Sequence, residues 1–365
     1  MSKTAGTRTI SNLQFYLVMI ASIVAFGHFV YVHLVMLYAG RDSWISLFAA
    51  VLFGGIIAYV HLGSAKSSPD YTLVELSQRA WGKWLGSAIS LLYMVYFIFI
   101  GAVTVRILST FIGLIFPATP SQVWIIAIFI LVAWALREEV EVMARTIQLL
   151  LPLLIVLGLS ASLFLLPDRD PMKLLPIMDH GILPVWQGTV IFIAMISELV
   201  IGQMFIPQVK NPPNLLKQGW MVLGVLLIMF IGPITGPIMI FGENLAKAFA
   251  YPTYAELEYI EAGDVVQRLD LFGVILWMIG GYFRITVFSY AALQVVNRLT
   301  GAIRPNAYAI PVAGVVIAIG LDLPLSRPDT YSFLLTGYPI VSIAIGVLMP
   351  LLTSLLFTFR NRKLY

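Results

Sequence analysis

Apolar runs of membrane-spanning length follow one another along nearly the whole sequence, with only short polar segments between them. Of the 365 residues, 60% are hydrophobic and 11% are charged, whereas soluble domains carry about 25% charged residues. A compact core cannot bury so many apolar side chains, but each membrane-spanning helix uses roughly 20 of them. The sequence therefore predicts an all-α polytopic membrane protein in which residues 1–365 form a single transmembrane domain.

Ten spans account for these runs. Their predicted bounds are about 12–39, 44–63, 82–115, 121–136, 141–166, 183–207, 214–241, 266–298, 307–321 and 331–358. With the N-terminus in the cytoplasm, 14 of the 22 lysine and arginine residues fall on the cytoplasmic side and 6 on the opposite side, as the positive-inside rule requires. Because an even number of spans returns the chain to its starting side, both termini are predicted to be cytoplasmic.

The two halves of the chain share a pattern. Spans one to five cover about 12–166 and spans six to ten about 183–358, and in each half the third span is unusually long and holds one arginine, Arg106 or Arg284. Five spans per half give the halves opposite orientations in the membrane. This pattern predicts an inverted five-plus-five repeat with broken helices one and six, a plan in which secondary transporters bind ligand near the midplane.

Span six carries a carboxylate near its middle. Glu198 lies between Ser197 and Leu199 in AMISELVIGQMFIP (194–207). A charge at the bilayer centre costs about 2.5–3.5 kcal/mol and therefore normally faces a cavity or a partner. One interpretation places Glu198 at a ligand or proton site beside a helix break. The alternative is a structural carboxylate that caps the broken helix or pairs with an arginine.

Span one offers a second candidate region, ASIVAFGHF (21–29), with Ser22, Phe26, Gly27 and His28. A backbone break at Gly27 would expose amides that attract an anionic group such as an amino-acid carboxylate. The alternative is close packing of helices through a small residue, which is common in membranes. His28 is either a proton carrier or a hydrogen-bonded structural residue.

Arg284 lies near the middle of span eight, two residues before Thr286. Its guanidinium stays protonated at any physiological pH. We expect this fixed cation to stand in for a sodium ion, either bracing span eight against span one or pairing with Glu198. The alternative is that Arg284 faces a cytoplasmic cavity and snorkels.

Several function classes lack the residues that they need. The sequence has no cysteine, which excludes thiolate chemistry. It also lacks the nucleotide-binding patterns G-x-x-x-x-G-K-[ST] and G-x-G-x-x-G, which excludes ATP-driven pumping by this chain alone. No grouping of serine, carboxylate and histidine suggests hydrolysis, and the histidines do not cluster at metal-ligand spacing. We therefore expect no enzyme, no cofactor and no metal site.

Four segments, in their order and spacing, give the chain a family resemblance: ISNLQF (10–15), AGRDSWIS (39–46), SELVIGQMFIP (197–207) and WMIGGYFRI (277–285). They resemble the B subunit of bacterial spore germinant receptors, a spore-permease branch of the amino acid–polyamine–organocation superfamily. The resemblance implies broken first and sixth helices. It also implies a spore inner-membrane protein that works with an A subunit and a lipoprotein C subunit and responds to a small nutrient.

The leading hypothesis is therefore a nutrient-sensing subunit of the spore inner membrane or cell membrane that triggers germination. Its ligand, an amino acid with an aliphatic side chain, would bind between spans one, three, six and eight. The predicted ligand-binding residues are Ser22, Phe26, Gly27, His28, Ile100, Met195, Ser197, Glu198, Leu199 and Thr286. The alternatives are a proton-coupled, sodium-independent amino acid permease and a structural subunit with a vestigial pocket. No nucleic acid is expected among the partners.

Overall fold

The computed structural model describes residues 9–67, 69–210, 215–259, 270–302, 304–324 and 328–362. Within these ranges, the side chains of residues 24–26, 28, 60–67, 215, 216, 218, 305, 328–331, 361 and 362 are outside the description. The described chain is helical almost throughout. It has no β-strand, and its one isolated bridge pairs Ile10 with Val209.

The α-helices follow the apolar runs. In chain order they are α1 (Asn12–Ala39), α2 (Ser43–Ser67), α3 (Leu73–Trp81), α4 (Lys83–Ile115), α5 (Ser121–Arg137), α6 (Val140–Phe164), α7 (Ile182–Ser197), α8 (Leu215–Phe241), α9 (Glu243–Ala248), α10 (Pro252–Tyr259), α11 (Asp270–Thr300), α12 (Ala309–Asp322), α13 (Pro328–Leu335), α14 (Gly337–Ile343) and α15 (Met349–Arg362). A 3-10 segment, Glu198–Met204, continues α7, and a π segment, Ala344–Leu348, joins α14 to α15.

Membrane-spanning character is evident in the described helices. Seven helical stretches there are long and apolar enough to cross a membrane, and three shorter apolar helices of 10–17 residues accompany them. The predicted all-α polytopic class is therefore confirmed. The count of ten spans and the inverted repeat stay predictions.

Helix α1 lies in the middle of the bundle, where it packs against α6, α7, α8 and α11. Its sequence is apolar on all sides, and most of its described side chains are buried, as expected for a helix that is surrounded by others. The long helices α4 and α11 pack against each other beside it. Polar groups on these helices therefore meet in the interior.

The predicted interruption of span six is present. The α-helical hydrogen bonding of α7 ends at Ser197, and the next seven residues form the tighter 3-10 segment. The Ser197 hydroxyl donates to the carbonyl of Ala194 at 2.6 Å, and such back-bonding weakens a helix locally. Glu198 is thus the first residue after the change in geometry.

The predicted break in span one is wrong, because α1 runs from Asn12 to Ala39 as one α-helix. Gly27 serves close packing instead. A Cβ atom there would lie 3.1 Å from the ring of Phe230 and 3.2 Å from the sulfur of Met195. The glycine thus lets α8 and α7 approach α1 closely, as small residues do in membrane bundles.

Both ends of the described chain lie on the same face of the bundle. Thr9 and Ile10 donate backbone hydrogen bonds to Gln208, whose side chain bonds to Tyr290 near the end of α11. Near the other end of the chain, Arg360 donates to a carbonyl of α3, and α3 is ion-paired to the end of α11. We call this the terminal face, and the opposite one, which carries α9 and α10, the capped face.

Candidate functional site

A buried ion pair lies at the centre of the bundle. Arg284 extends from α11 toward Glu198, and its Nη2 atom lies 2.7 Å from the carboxylate. The two side chains are 5% and 0% exposed. Such charges persist in a membrane interior only when they are paired. The structure therefore supports the pairing of Glu198 with an arginine and contradicts the snorkelling alternative for Arg284.

Two tyrosines also donate hydrogen bonds to the carboxylate, both to Oε1. Tyr31 of α1 donates its hydroxyl to Oε1 of Glu198 at 2.6 Å, and Tyr338 at the start of α14 donates to the same oxygen. The two hydroxyl oxygens lie 2.5 Å apart. Arg284 and both tyrosines thus direct donors at one carboxylate, an arrangement in which charge-assisted hydrogen bonds are strong.

The remaining guanidinium donors connect the ion pair to α4 and to the backbone of α1. Arg284 Nε donates to the hydroxyl of Thr104 on α4 at 3.1 Å, and Nη1 donates to the backbone carbonyl of Ser22 on α1. The guanidinium also lies 5.0 Å from the ring centre of Phe288, within cation–π range. We call Arg284, Glu198, Tyr31, Tyr338 and Thr104 the Arg284–Glu198 cluster. It contains one positive and one negative charge and therefore has no net charge.

A narrow pocket borders the cluster on the side of the capped face. Its walls are Tyr31, Arg284 and Tyr338 together with aliphatic side chains, namely Val30, Leu34, Ile100, Val103 and Leu334. A second cavity of about 390 Å³ shares three of these aliphatic residues and reaches Lys247 and Tyr251 at the capped face. This volume lies in the range of about 300–1,000 Å³ that small-molecule sites occupy. The cavity and the narrow pocket thus adjoin each other between the capped face and the cluster.

Direct contacts close the terminal face below the cluster. Gln14 of α1 donates to Gln148 of α6 at 3.0 Å. Gln208 donates to the Tyr290 hydroxyl at 3.1 Å, and the Tyr290 ring stacks on Phe205 at 5.4 Å between centroids. Among the described residues, these contacts thus cross the interior on the terminal-face side of the cluster, while the cavity lies on its capped-face side.

Helix α9 and the residues between α9 and α10 cover part of the cavity. The Tyr251 ring stacks on Phe29 of α1 at 4.5 Å, and burial raises the pKa of Tyr251 to about 12. Near α9, Glu243 accepts from Arg41 at 2.7 Å and from Lys247 at 2.6 Å. Burial of Glu243 opposes ionisation, but these two cations hold the pKa of its carboxyl below the usual value.

A second ion pair fastens α10. Arg169, which follows α6, lies 2.6 Å from Glu256 of α10, and the two side chains are 8% and 3% exposed. Burial raises the pKa of Glu256 to about 7, although Arg169 acts in the opposite direction. This carboxyl therefore titrates near neutral pH.

The cluster and its pocket bring together four of the predicted site residues: Ser22 through its carbonyl, Ile100, Glu198 and Arg284. The side chains of Phe26 and His28 lie outside the described residues.

Five other predicted site residues lie outside the walls of this narrow pocket, and their role in ligand binding stays a prediction. Gly27 and Met195 pack against each other between α1 and α7. The Ser197 hydroxyl bonds to backbone carbonyls of Ala194 and Ser342. Leu199 lines a separate pocket toward the terminal face. Thr286 donates to the carbonyl of Tyr282 at 2.7 Å and so is engaged within its own helix.

The sequence interpretation missed Tyr31, Thr104 and Tyr338. A usable signal existed for the tyrosines, because a phenol in a membrane span needs a hydrogen-bond partner, and Glu198 was an evident acceptor. Thr104 gave no such signal, since its hydroxyl also bonds to the carbonyl of Ile100 in its own helix. Among the described residues, no three His, Asp or Glu side chains converge as metal ligands would.

Comparison with known proteins places this site in a family context. The family model described as "Spore germination protein" (Spore_permease) matches residues 9–323. Spore germination protein XB of Bacillus anthracis is 26% identical over 361 residues, which cover 97% of this chain and 99% of the relative. Spore germination protein KB of Bacillus subtilis is 22% identical over 334 residues, with 89% of each chain covered.

Two solved structures share the fold at 13% sequence identity. MhsT in complex with L-phenylalanine superimposes with a TM-score of 0.71 over 93% of this chain and 88% of that one. Mhp1, a nucleobase-cation-symport-1 family transporter with bromovinylhydantoin bound, gives a TM-score of 0.64 over 94% and 80%. The fold is thus that of these two proteins, while the family match covers most of the chain: the protein belongs to the Spore_permease family of spore germination proteins.

Proposed function

We propose that this chain is the membrane subunit of a nutrient germinant receptor, which binds an amino acid near the membrane midplane and thereby triggers germination. The observation that carries the proposal is a neutral, buried Arg284–Glu198 cluster at the end of a cavity that is open to one face. Membership in a germination family and a fold shared with MhsT, which was solved in complex with L-phenylalanine, support it.

The chemistry of the pocket favours an aliphatic α-amino acid. Because the cluster carries no net charge, a ligand without net charge enters the low-dielectric interior at the lowest electrostatic cost. Val30, Leu34 and Ile100 offer an aliphatic surface for its side chain. The unbroken α1 supplies no free amides at Gly27, so the donor for the ligand carboxylate would be Arg284, whose guanidinium has more N–H groups than the contacts above use.

Sensing requires that the ligand shift an equilibrium between two conformations of the protein. The size of the shift is set by the difference between the ligand's affinities for the two conformations. We propose that A and C subunits read this shift in the spore inner membrane, with both termini of this chain in the cytoplasm. Both described chain ends lie on the terminal face. This position fits ten spans in an inverted five-plus-five repeat, because an even number of spans brings both ends to the same side of the membrane.

A second candidate is a proton-coupled, sodium-independent amino acid permease. The observation that favours it is a cavity near the capped face together with side-chain contacts across the interior toward the terminal face, an asymmetry that alternating access would use. In both functions the fixed charge of Arg284 would stand in place of a sodium ion.

Purified protein in liposomes distinguishes the two. Binding and uptake of L-alanine, L-valine and L-leucine would be measured beside L-lysine, L-glutamate and glucose, with and without a pH gradient. Saturable binding of an aliphatic amino acid without net uptake is expected for the receptor subunit. Accumulation driven by the pH gradient would contradict the receptor and favour the permease, and preference for a sugar or for L-lysine would contradict the ligand class.

A further inference from the structure

A deep groove, which we call the lateral groove, opens between α6 and α8 on the side of the bundle. Its volume of about 630 Å³ exceeds that of the cavity above the Arg284–Glu198 cluster. Leu154 and Met229 line its interior, and Trp277 of α11 lines its inner part. The lining of the groove shares no residue with the cavity or with the narrow pocket beside the cluster.

The backbone keeps the groove open. Gly158 on α6 and Gly232 on α8 place no side chain in it, and α8 contains Pro233 and Pro237, which interrupt helical hydrogen bonds and bend a helix. At Gly232 the helices approach closely, because a Cβ atom there would lie 2.6 Å from the hydroxyl of Ser162. The open volume is therefore built into the sequences of both helices.

The lining and the rim of the groove indicate which kind of molecule fills it. Leu159, Leu163 and Ile228 belong to the lining and are 37%, 64% and 59% exposed, so the groove opens outward across an apolar rim. Water does not stably fill an apolar cavity of this kind, and an empty one would forfeit dispersion contacts along its walls. In a multi-pass membrane protein, lipid acyl chains are the apolar groups that surround such a rim.

The end of the groove toward the capped face is polar. Arg169 donates to the Ser162 hydroxyl at 3.1 Å and pairs with Glu256, and all three residues line this end. The Thr253 hydroxyl oxygen also lies there, buried and without a hydrogen-bond partner among the described residues. Arg169 follows the last residue of α6, Phe164, so the polar end stands at the depth where the apolar helix stops.

We propose that the lateral groove binds one bilayer phospholipid from the leaflet at the capped face. One of its acyl chains fills the apolar part, and its ester region accepts a hydrogen bond from Thr253 beside the Arg169–Glu256 pair. A transmembrane helix of a partner would place apolar side chains against this polar end, whereas a phospholipid changes from apolar to polar at the same depth. Since Trp277 packs on Phe29 at 4.5 Å, the bound lipid also supports the wall of the central cavity.

Photolabelling tests the proposal. The full chain is reconstituted in vesicles of phosphatidylethanolamine and phosphatidylglycerol that contain a small fraction of phosphatidylcholine with a diazirine in one acyl chain. After irradiation, peptide mass spectrometry maps the adducts. We expect adducts at Leu154 and Met229 to exceed those at Ile126 and Ile130, which are exposed on α5. We also expect phospholipid to stay bound to the wild-type chain in native mass spectrometry.

Two matched variants sharpen the test. Gly158→Phe places a ring in the groove, where the nearest atom to a Cβ is the Met229 methyl group at 3.7 Å, and it should abolish the adducts and the retained lipid. Gly224→Phe on α8 is the control, because nothing lies within 4 Å of a Cβ there and the residue is not part of the groove lining. Thr253→Val, which adds no bulk to the groove, should lower lipid retention while leaving the apolar part open.

The outcomes are separable from those of the ligand assays. Groove adducts that equal those on α5, or that persist in Gly158→Phe, would overturn the proposal. So would groove adducts absent from wild type under conditions in which the α5 adducts form, as expected if a second protein chain fills the groove. Loss of groove adducts in Gly158→Phe with wild-type thermal stability and retained α5 adducts would support it.

Discussion

Burial of the Arg284–Glu198 pair predicts a large energetic coupling between the two side chains. Glu198→Gln keeps an acceptor for Tyr31 but leaves Arg284 as an unpaired cation that is 5% exposed. Removing one partner of a buried ion pair costs about 3–5 kcal/mol. Arg284→Met leaves the carboxylate unpaired and should cost about as much. The double variant removes both charges together and should be far less destabilised than the sum of the two single variants.

A double-mutant cycle measures this difference. The free energy of unfolding is determined for wild type, both single variants and the double variant by titration with SDS in mixed micelles. We expect a coupling of about 3 kcal/mol, the upper end for directly interacting residues and above the roughly 0.6 kcal/mol that interhelical hydrogen bonds average in a membrane protein.

The chain provides its own matched control. Arg145 and Glu141 lie at the same 2.7 Å separation, but their side chains are 70% and 28% exposed. A surface pair one helical turn apart couples by only about 0.3–0.5 kcal/mol, so the cycle Glu141→Gln with Arg145→Met should give that smaller value. A coupling at Arg284 and Glu198 no larger than at the surface pair would refute the reasoning from burial.

Three further predictions concern ions, protons and the ligand. Binding of an aliphatic amino acid to the wild-type chain should be unchanged when choline replaces sodium, and a collapse of binding without sodium would contradict the role given to Arg284. The pKa of Glu256 is raised from 4.5 to about 7, so its contribution to stability is complete below pH 4.5 and is lost as pH rises through 7. The melting temperature of Glu256→Gln should lack this decline, and a variant whose melting temperature falls with pH as that of wild type does would contradict the prediction. Tyr31→Phe and Tyr338→Phe each delete one hydrogen-bond donor, worth about 0.5–1.5 kcal/mol, and should weaken ligand binding by up to about tenfold in titration calorimetry. Unchanged affinity would show that these tyrosines do not contribute to ligand binding.

The sequence predicts those features that the bilayer itself imposes. Span length and composition follow from membrane thickness, which is why the predicted span 82–115 and the helix Lys83–Ile115 nearly coincide. Charges inside spans are rare for the same reason. Glu198 and Arg284 were therefore identified as central residues, and their pairing was among the predicted alternatives.

Positions beside these two charges could not be assigned from chain proximity. Thr286 is two residues from Arg284, and residues two apart point to nearly opposite sides of an α-helix. Leu199 follows Glu198 directly, so it faces another direction and lines a different pocket. Tyr338 belongs to the distant α14, and only the packing of that helix brings its hydroxyl to Glu198. Such contacts depend on tertiary structure that residue spacing does not encode.

The outcome at Gly27 has a physical explanation in the same cluster. A broken helix one would supply backbone amides as the positive partner for a buried anion. Here the guanidinium of Arg284 supplies that charge from α11, binding Glu198 and the carbonyl of Ser22 at once. With a side-chain cation in this place, α1 can keep its helical hydrogen bonds, and Gly27 is free to serve the contact with Phe230 and Met195. The intact α1 and the buried Arg284 are thus two aspects of one arrangement.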